Sequence, residues 1–562
     1  MFSKGLLLGF FALAIPLLLV VLWVPEVQAG ATVVVINGDR ANEGFNDRTP
    51  APATGGNTGL TVGEQRLIAF QHAANIWGAT LDTNVTVKVQ ATFDPLPCSA
   101  SSGVLGAAGT FFVIRDFSAS AFPATWYHSA LADKIVGSDL VPGAPDIVAF
   151  FNASLGSPGC LESSGWYYGL DNLAPSNRID LIAVALHELG HGLGFANFVD
   201  ESSGRNLAGF TDIYSRFTQD LSSGKTWDVM SDAERMASAI NVRKVVWNGT
   251  QVTTALPTVL SPGTPFLQVN APASITGRYP VGTAVFGPPL SSPGITADLA
   301  LALDGGPVMT DGCSPLSNAA AVAGKIALID RGTCTFTQKV LNAQSAGAVA
   351  VIVVDNVPGS PPPGLGGAAA GITIPAVRVS LADGALLKNQ LSGGTPVNVT
   401  LGVDLTQFAG ADPTAHALLF TPNPVQPGSS LSHWDPIASP NQLMEPAINS
   451  DLTHSVKAPQ DLTLALLRDV GWTANPTPDL CPISIATPSV IIDGYDTRVP
   501  NILFSTGCTL SDFVQLIAAN SRNHGDFESS VAGLVNTLRQ AGLISEDQSG
   551  ELKSAAARAN LP

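Results

Sequence analysis

One stretch constrains this chain more than any other: residues 181–195, which read Leu-Ile-Ala-Val-Ala-Leu-His-Glu-Leu-Gly-His-Gly-Leu-Gly-Phe. An apolar run with helical spacing leads into His187, Glu188 and His191. The two histidines stand four residues apart, so on a helix they lie one turn apart on one face. Imidazoles stacked that way can grip one Zn²⁺. Glu188, beside the pair, can take a proton from a water that the metal activates. Gly194, three residues past the second histidine, is where the helix must stop for the chain to turn. A buried amphipathic helix with two satisfied histidines would carry the same five-residue pattern. The strongly apolar lead, the glycine at that offset and the secreted character of the chain favour the metal.

That secreted character is read at the N-terminus. Lys4 precedes an apolar run over 5–25, and Val27-Gln28-Ala29 follows it. This predicts a signal peptide over 1–29, cleaved after Ala29. The alternative is an uncleaved anchor, because the run is about long enough to span a bilayer. No other segment is apolar enough for that, so stable membrane insertion is not expected after cleavage. Six cysteines follow, in three sequence-separated pairs, and an oxidising compartment predicts three disulfides: Cys98–Cys160, Cys313–Cys334 and Cys481–Cys508. Cys98 as a thiolate cap on the metal is the less simple alternative. None of the six has zinc-finger spacing. A net charge of -17 argues against nucleic acid as a partner. With 562 residues the chain exceeds one core, so three or more domains are expected.

In chain order, 31–37 is a β-branched strand, 61–80 an amphipathic helix, and 85–89 and 146–152 are strands. The outer edge of 146–152 is a candidate for holding an extended peptide by strand addition, against an ordinary core strand as the alternative. Strand, helix, strand, strand, helix is the order of an α+β lobe with one crossover helix. Beyond it, 212–217 reads as a strand and 231–240 as a short helix. From 252 to 408 the chain is rich in Gly, Pro, Ala and Val and poor in charge, with strands near 324–330, 348–354 and 374–379 around a helix over 335–346. A helix follows over 458–470. After a Pro-rich linker at 475–479, the tail carries short strands near 489–493 and helical stretches over 510–520, 526–541 and 548–560.

Two family resemblances attach to these residues. Gly324-Lys-Ile-Ala-Leu328, Arg331-Gly-Thr-Cys334-Thr-Phe336, the stretch 343–354 and Ile374-Pro-Ala-Val377 resemble the protease-associated (PA) domain. That resemblance implies a β-sandwich or open barrel with flanking helices, and a role in substrate access or protein interaction rather than chemistry. The second resemblance concerns the third ligand, since zinc usually takes three protein ligands and a water. Three residues past Gly194 stands Asn197, a weak zinc ligand, and Asp200 is out of register. The remaining histidines, His72, His128, His416, His433, His454 and His524, are undistinguished by spacing alone. The chain around His433 resembles the leishmanolysin-like branch of the metzincin metalloproteases. There, H-E-x-x-H-x-x-G-F is followed by an insertion, then by Ser-His-Trp, here Ser432-His433-Trp434, and by a methionine eleven residues on, here Met444. The resemblance implies His187, His191 and His433 as metal ligands, Glu188 as base and Met444 as the Met-turn residue beneath the metal. It also implies that 146–152 binds the substrate backbone and that 469–472 closes the catalytic domain. The insertion is far longer than in that branch, and His454 is the fallback ligand.

The expectation is therefore an α+β protein: a metzincin-like catalytic domain over 30–250 and 411–475, a β-rich PA-like domain inserted over 251–410, and a small, mainly helical, disulfide-tied module over 476–562. Its expected function is that of a secreted zinc endopeptidase with one catalytic Zn²⁺, acting on protein or peptide substrates. A non-catalytic secreted binding protein with a structural or degenerate zinc site is the alternative from another class. A zinc hydrolase of non-peptide substrates is a third.

Overall fold

The computed structural model describes residues 31–449, 451–475, 487, 489–502, 504, 508–540 and 543–560. The expected signal peptide, residues 476–479 of the linker and Cys481 lie outside the described residues.

The first lobe is built on a four-stranded sheet. Strand β1 (Val33–Asn37), helix α1 (Val62–Thr80), β2 (Val87–Asp94), β3 (Gly106–Thr110) and β4 (Ile147–Asn152) come in chain order, but their order in the sheet is β1-β2-β4-β3. The first three are parallel, and β3 runs antiparallel along the edge beyond β4. Helix α1 begins at a capping box, in which Thr61 accepts from the Glu64 amide and Glu64 returns the bond. It provides the crossover between β1 and β2. Val87, Val89, Ala91 and Phe93 of β2 face inward with Ile147, Ala149 and Phe151 of β4.

The expectation that 146–152 offers a free edge is corrected by this pairing. β4 is hydrogen-bonded on both sides, and the edge strand is β3. Two shorter revisions follow. Of the segment read as a strand over 212–217 only Asp212 is in one, as the end of Thr211–Asp212, and 213–217 are turns. The helix expected over 458–470 is confined to Thr463–Val470, preceded by turns around Pro459.

Helix α2 (Leu181–Leu193) lies under the sheet beside α1. Leu181, Ile182, Leu186, Leu189 and Leu193 are all 1% exposed or less. Each such buried side chain stabilises the fold by about 1.5–3 kcal/mol. Two indoles bond its backbone carbonyls, Trp77 Nε1 to Leu186 O at 3.1 Å and Trp472 Nε1 to Leu193 O at 2.7 Å. The second of these comes from the far end of the chain. One hydrophobic core joins residues 31–260 to residues 411–472. Ala417–Leu418 pairs with Val245–Trp247, and the Asp469 carboxylate accepts from Trp247 Nε1 (2.9 Å) and Gln251 N (2.8 Å).

The intervening residues build a separate eight-stranded sheet with its own cores on two faces. Its two ends are Gly277–Tyr279 and Gly282–Thr283, separated by only Pro280 and Val281, so the sheet curls toward an open barrel. The central strand Ile326–Asp330 reads as a continuous apolar run because both its faces are covered. The segment leaves and re-enters the first lobe side by side, with Pro262 opposite Phe408. A fourth core gathers the hairpin Ser489–Ile492 and Tyr495–Pro500 with helices Leu510–Asn520, His524–Gln540 and Glu546–Arg558. Cys98–Cys160 and Cys313–Cys334 are disulfides, so Cys98 is no metal cap. Cys508 is disulfide-bonded as well. Among the described residues, no helix is long and apolar enough to cross a membrane.

Candidate metal centre

Helix α2 starts at Asp180, whose carboxylate accepts from the Ile182 amide at 2.8 Å, and it ends at Gly194. The helix geometry carries His187 and His191 to one face. His433 reaches them from a hairpin 246 residues after His187. In that hairpin, Leu431 N bonds Phe420 O (2.7 Å) and Phe420 N bonds His433 O (2.8 Å). Tyr214 Oη anchors the same hairpin through Leu431 O at 2.7 Å.

The three imidazoles are arranged alike. His187 Nδ1 lies 2.7 Å from Leu443 O, His191 Nδ1 2.8 Å from Phe195 O, and His433 Nδ1 2.8 Å from Ser429 O. A carbonyl only accepts, so each Nδ1 carries the proton and each Nε2 presents a lone pair. Those lone pairs converge: His187 Nε2 is 3.1 Å from His191 Nε2 and 3.2 Å from His433 Nε2. Two lone pairs at that distance repel, and with no N–H left to share, the arrangement calls for a cation. Burial pushes His187 down to about 3, His191 to about 4 and His433 well below its ordinary value. All three are then neutral near pH 7, the state a metal requires. A trio of imidazole nitrogen donors suits Zn²⁺. These three form the one such cluster among the described residues.

Glu188 is 5% exposed and accepts the backbone N–H of Ala108 on β3. Burial raises its carboxyl to about 8, against the lowering effect of that amide. The edge strand crosses so close that a Cβ on Gly106 would stand 2.8 Å from Glu188 Oε1. Met444 is fully buried on the opposite side of α2, its Sδ 2.8 Å from where a Cβ on Gly190 would stand. Leu443 N bonds Asp461 Oδ2 at 2.7 Å, and Trp434 N bonds Met444 O at 2.8 Å, which fixes this turn against the His433 hairpin.

The other candidates lie elsewhere. Asn197 Nδ2 bonds Glu201 and Ser432. Asp200 closes a turn with Ser202 and Ser203. His454 Nε2 sits 3.0 Å from Asp180 Oδ2 at the helix cap, with the His72 ring 6.3 Å from its own. His128 is fully buried against Phe198. His416 bonds Thr414, and His524 starts a helix of the fourth core. Sequence reasoning missed β3 with Ala108, and it missed Tyr214 and Asp461. Glycine- and alanine-rich β3 offers no strand signal. Tyr214 and Asp461 act on backbone atoms of distant segments.

Residues 295–387 match the PA-domain family model. The chain carries a PA domain. It is 37% identical over 135 residues to the probable leucine aminopeptidase 2 of Aspergillus fumigatus, which covers 22% of this chain and 26% of that protein. It is 32% identical over 143 residues to vacuolar-sorting receptor 1 of Pisum sativum, 24% of this chain and 23% of that protein. The chain thus spans about a quarter of the length of these relatives, one of which is named a peptidase and the other a receptor. The aminopeptidase from Aneurinibacillus sp. strain AM-1 is similar at 28% identity, with 26% of this chain and 31% of that chain covered and a TM-score of 0.21.

Proposed function

We propose that this protein is a secreted zinc endopeptidase of the metzincin type, similar to the leishmanolysin-like branch. Its catalytic unit comprises 30–250 and 411–475, and its PA-like segment, 251–410, is an insertion. One observation carries the reading: three Nε2 lone pairs converge beside a buried carboxylate that is bonded to an edge strand. His187, His191 and His433 would hold the metal. Bound there, Zn²⁺ supplies Lewis-acid polarisation of a carbonyl and makes a water acidic enough to lose its proton near neutral pH.

The remaining work belongs to the chain. Glu188, ionised beside a bound dication despite the burial that raises its carboxyl, takes the proton from the attacking water and delivers it to the leaving amine. Its burial keeps bulk water from competing for that proton, and the Ala108 amide holds the carboxylate in place. An extended peptide fits along the free side of β3 by strand addition, which sets its backbone across Glu188. Because that edge continues past Glu188, a chain can run through the site, which favours internal cleavage over removal of a terminal residue. The disulfides support an oxidising compartment.

Glu188→Gln, assayed with zinc loaded on an internally quenched peptide, should lose about 10²–10⁴-fold in kcat while zinc content stays at one per chain. Wild-type turnover in that variant would eliminate the mechanism. Equal zinc content with no hydrolysis by the wild type, across varied peptides, would favour a binding protein instead.

A further inference from the structure

The PA-bearing insertion does more than occupy a loop. Its proline-rich stretch, Ser360-Pro361-Pro362-Pro363-Gly364-Leu365, is bonded to the catalytic lobe at Asn423: Ser360 N bonds Asn423 O at 2.9 Å, and Asn423 N bonds Ser360 O at 2.6 Å. Asn423 lies three residues past Phe420, the residue paired with His433. The stretch is fixed at its other end. Leu365 is fully buried in a core of the inserted domain, Leu365 N bonds Thr283 O (2.9 Å), and Val285 N bonds Leu365 O (3.1 Å). Three successive prolines are stiff, so the stretch acts as a strut rather than a tether. The strut packs on Gly282 so tightly that a Cβ there would lie 2.1 Å from Pro363 O.

Two more contacts bracket His433 from the other side. Arg243 lies 3.4 Å from the buried Asp435 and, also at 3.4 Å, donates to Val281 O next to Gly282. Ser261 N, where the insertion departs, bonds Ser439 O at 2.7 Å. The hairpin carrying His433 is therefore held on both flanks by the inserted domain and its stem.

We propose that the inserted domain is a positioning device for the third metal ligand. The strut 360–365, seated on Gly282 and bonded to Asn423, holds the hairpin in the register that brings His433 to His187 and His191. This rests on the reading of those three histidines as metal ligands. It makes zinc affinity and the seating of the strut reciprocally coupled. A macromolecule that pulled the strut away would loosen the metal without touching the active site.

Two variants test this by chelator competition, which needs no turnover: Gly282→Val, and a chain in which 360–364 is replaced by a Gly-Ser linker of equal length. Each should weaken zinc binding about tenfold or more, the scale on which partners of metal-bound side chains act, without exceeding the loss in His433→Ala. A folded variant that binds zinc within about twofold of wild type would overturn the proposal. Hydrogen exchange on the wild-type chain decides the matter even if both variants misfold. Zinc should slow exchange at the amides of Ser360, Leu365 and Asn423 as well as at 431–434. Slowing confined to 431–434 would overturn it. If His433→Ala binds zinc as wild type does, the ligand reading fails first, and this proposal falls with it.

Discussion

His187, His191 and His433 each spend Nδ1 on a backbone carbonyl, and that single bond decides which nitrogen faces the centre. The same turn that supplies Leu443 O carries Glu445, which is 1% exposed. Burial pushes its carboxyl up to about 9; Asp435, Asp451 and Asp461 raise it further, and the Gln442 amide lowers it. A folded-state value above the ordinary 4.5 means that the native protein holds the extra proton across that interval. Stability is then full at low pH and falls as pH rises from the ordinary value through about 9. Glu445→Gln keeps the shape and removes the titration. Its Tm should exceed that of wild type at pH 8 by several degrees, and the gap should shrink toward pH 5. A gap that widens toward pH 5 would reverse the sign and refute the assignment. At this scale His187, Glu188 and His191 were legible, because helical spacing alone puts them together. His433 was legible only through its Ser-His-Trp context and the methionine eleven residues on. The carbonyls that orient the rings were not legible, since any residue type presents one.

The elements divide the same way. Helix α2 announced itself through an apolar run, and α1 through its periodicity and Thr61–Glu64 cap. The sheet edge did not. Gly106-Ala-Ala-Gly-Thr110 lacks the β-branched and aromatic residues that mark a strand, and it is a strand because β4 templates it. The run Ile147-Val-Ala-Phe-Phe151 suits an edge or a core strand by sequence alone, and its pairing on both sides, parallel to β2 and antiparallel to β3, makes it interior. The small residues of β3 have a use: they let the backbone pass over Glu188. Gly106→Val should force the strand and the carboxylate apart, lowering kcat/KM by about tenfold or more while zinc content is unchanged. Measured peptide hydrolysis at the wild-type rate would mean that β3 does not border the reacting centre.

Across the whole molecule, the described residues form four cores, and the first is assembled from two stretches of chain separated by the segment that carries the second and third. Composition marked the low-charge middle segment, but only the pairing of Pro262 with Phe408 explains how so long a segment leaves the first core intact. The central claim is of this scale: a metal centre completed by a residue from beyond the insertion. X-ray absorption at the zinc edge, on protein loaded with one equivalent of zinc, tests it most directly. The wild type should show three imidazole nitrogens at about 2.0–2.1 Å and no sulfur, and His433→Ala should show two. Three imidazoles persisting in His433→Ala, or a sulfur in the wild-type shell, would contradict the account.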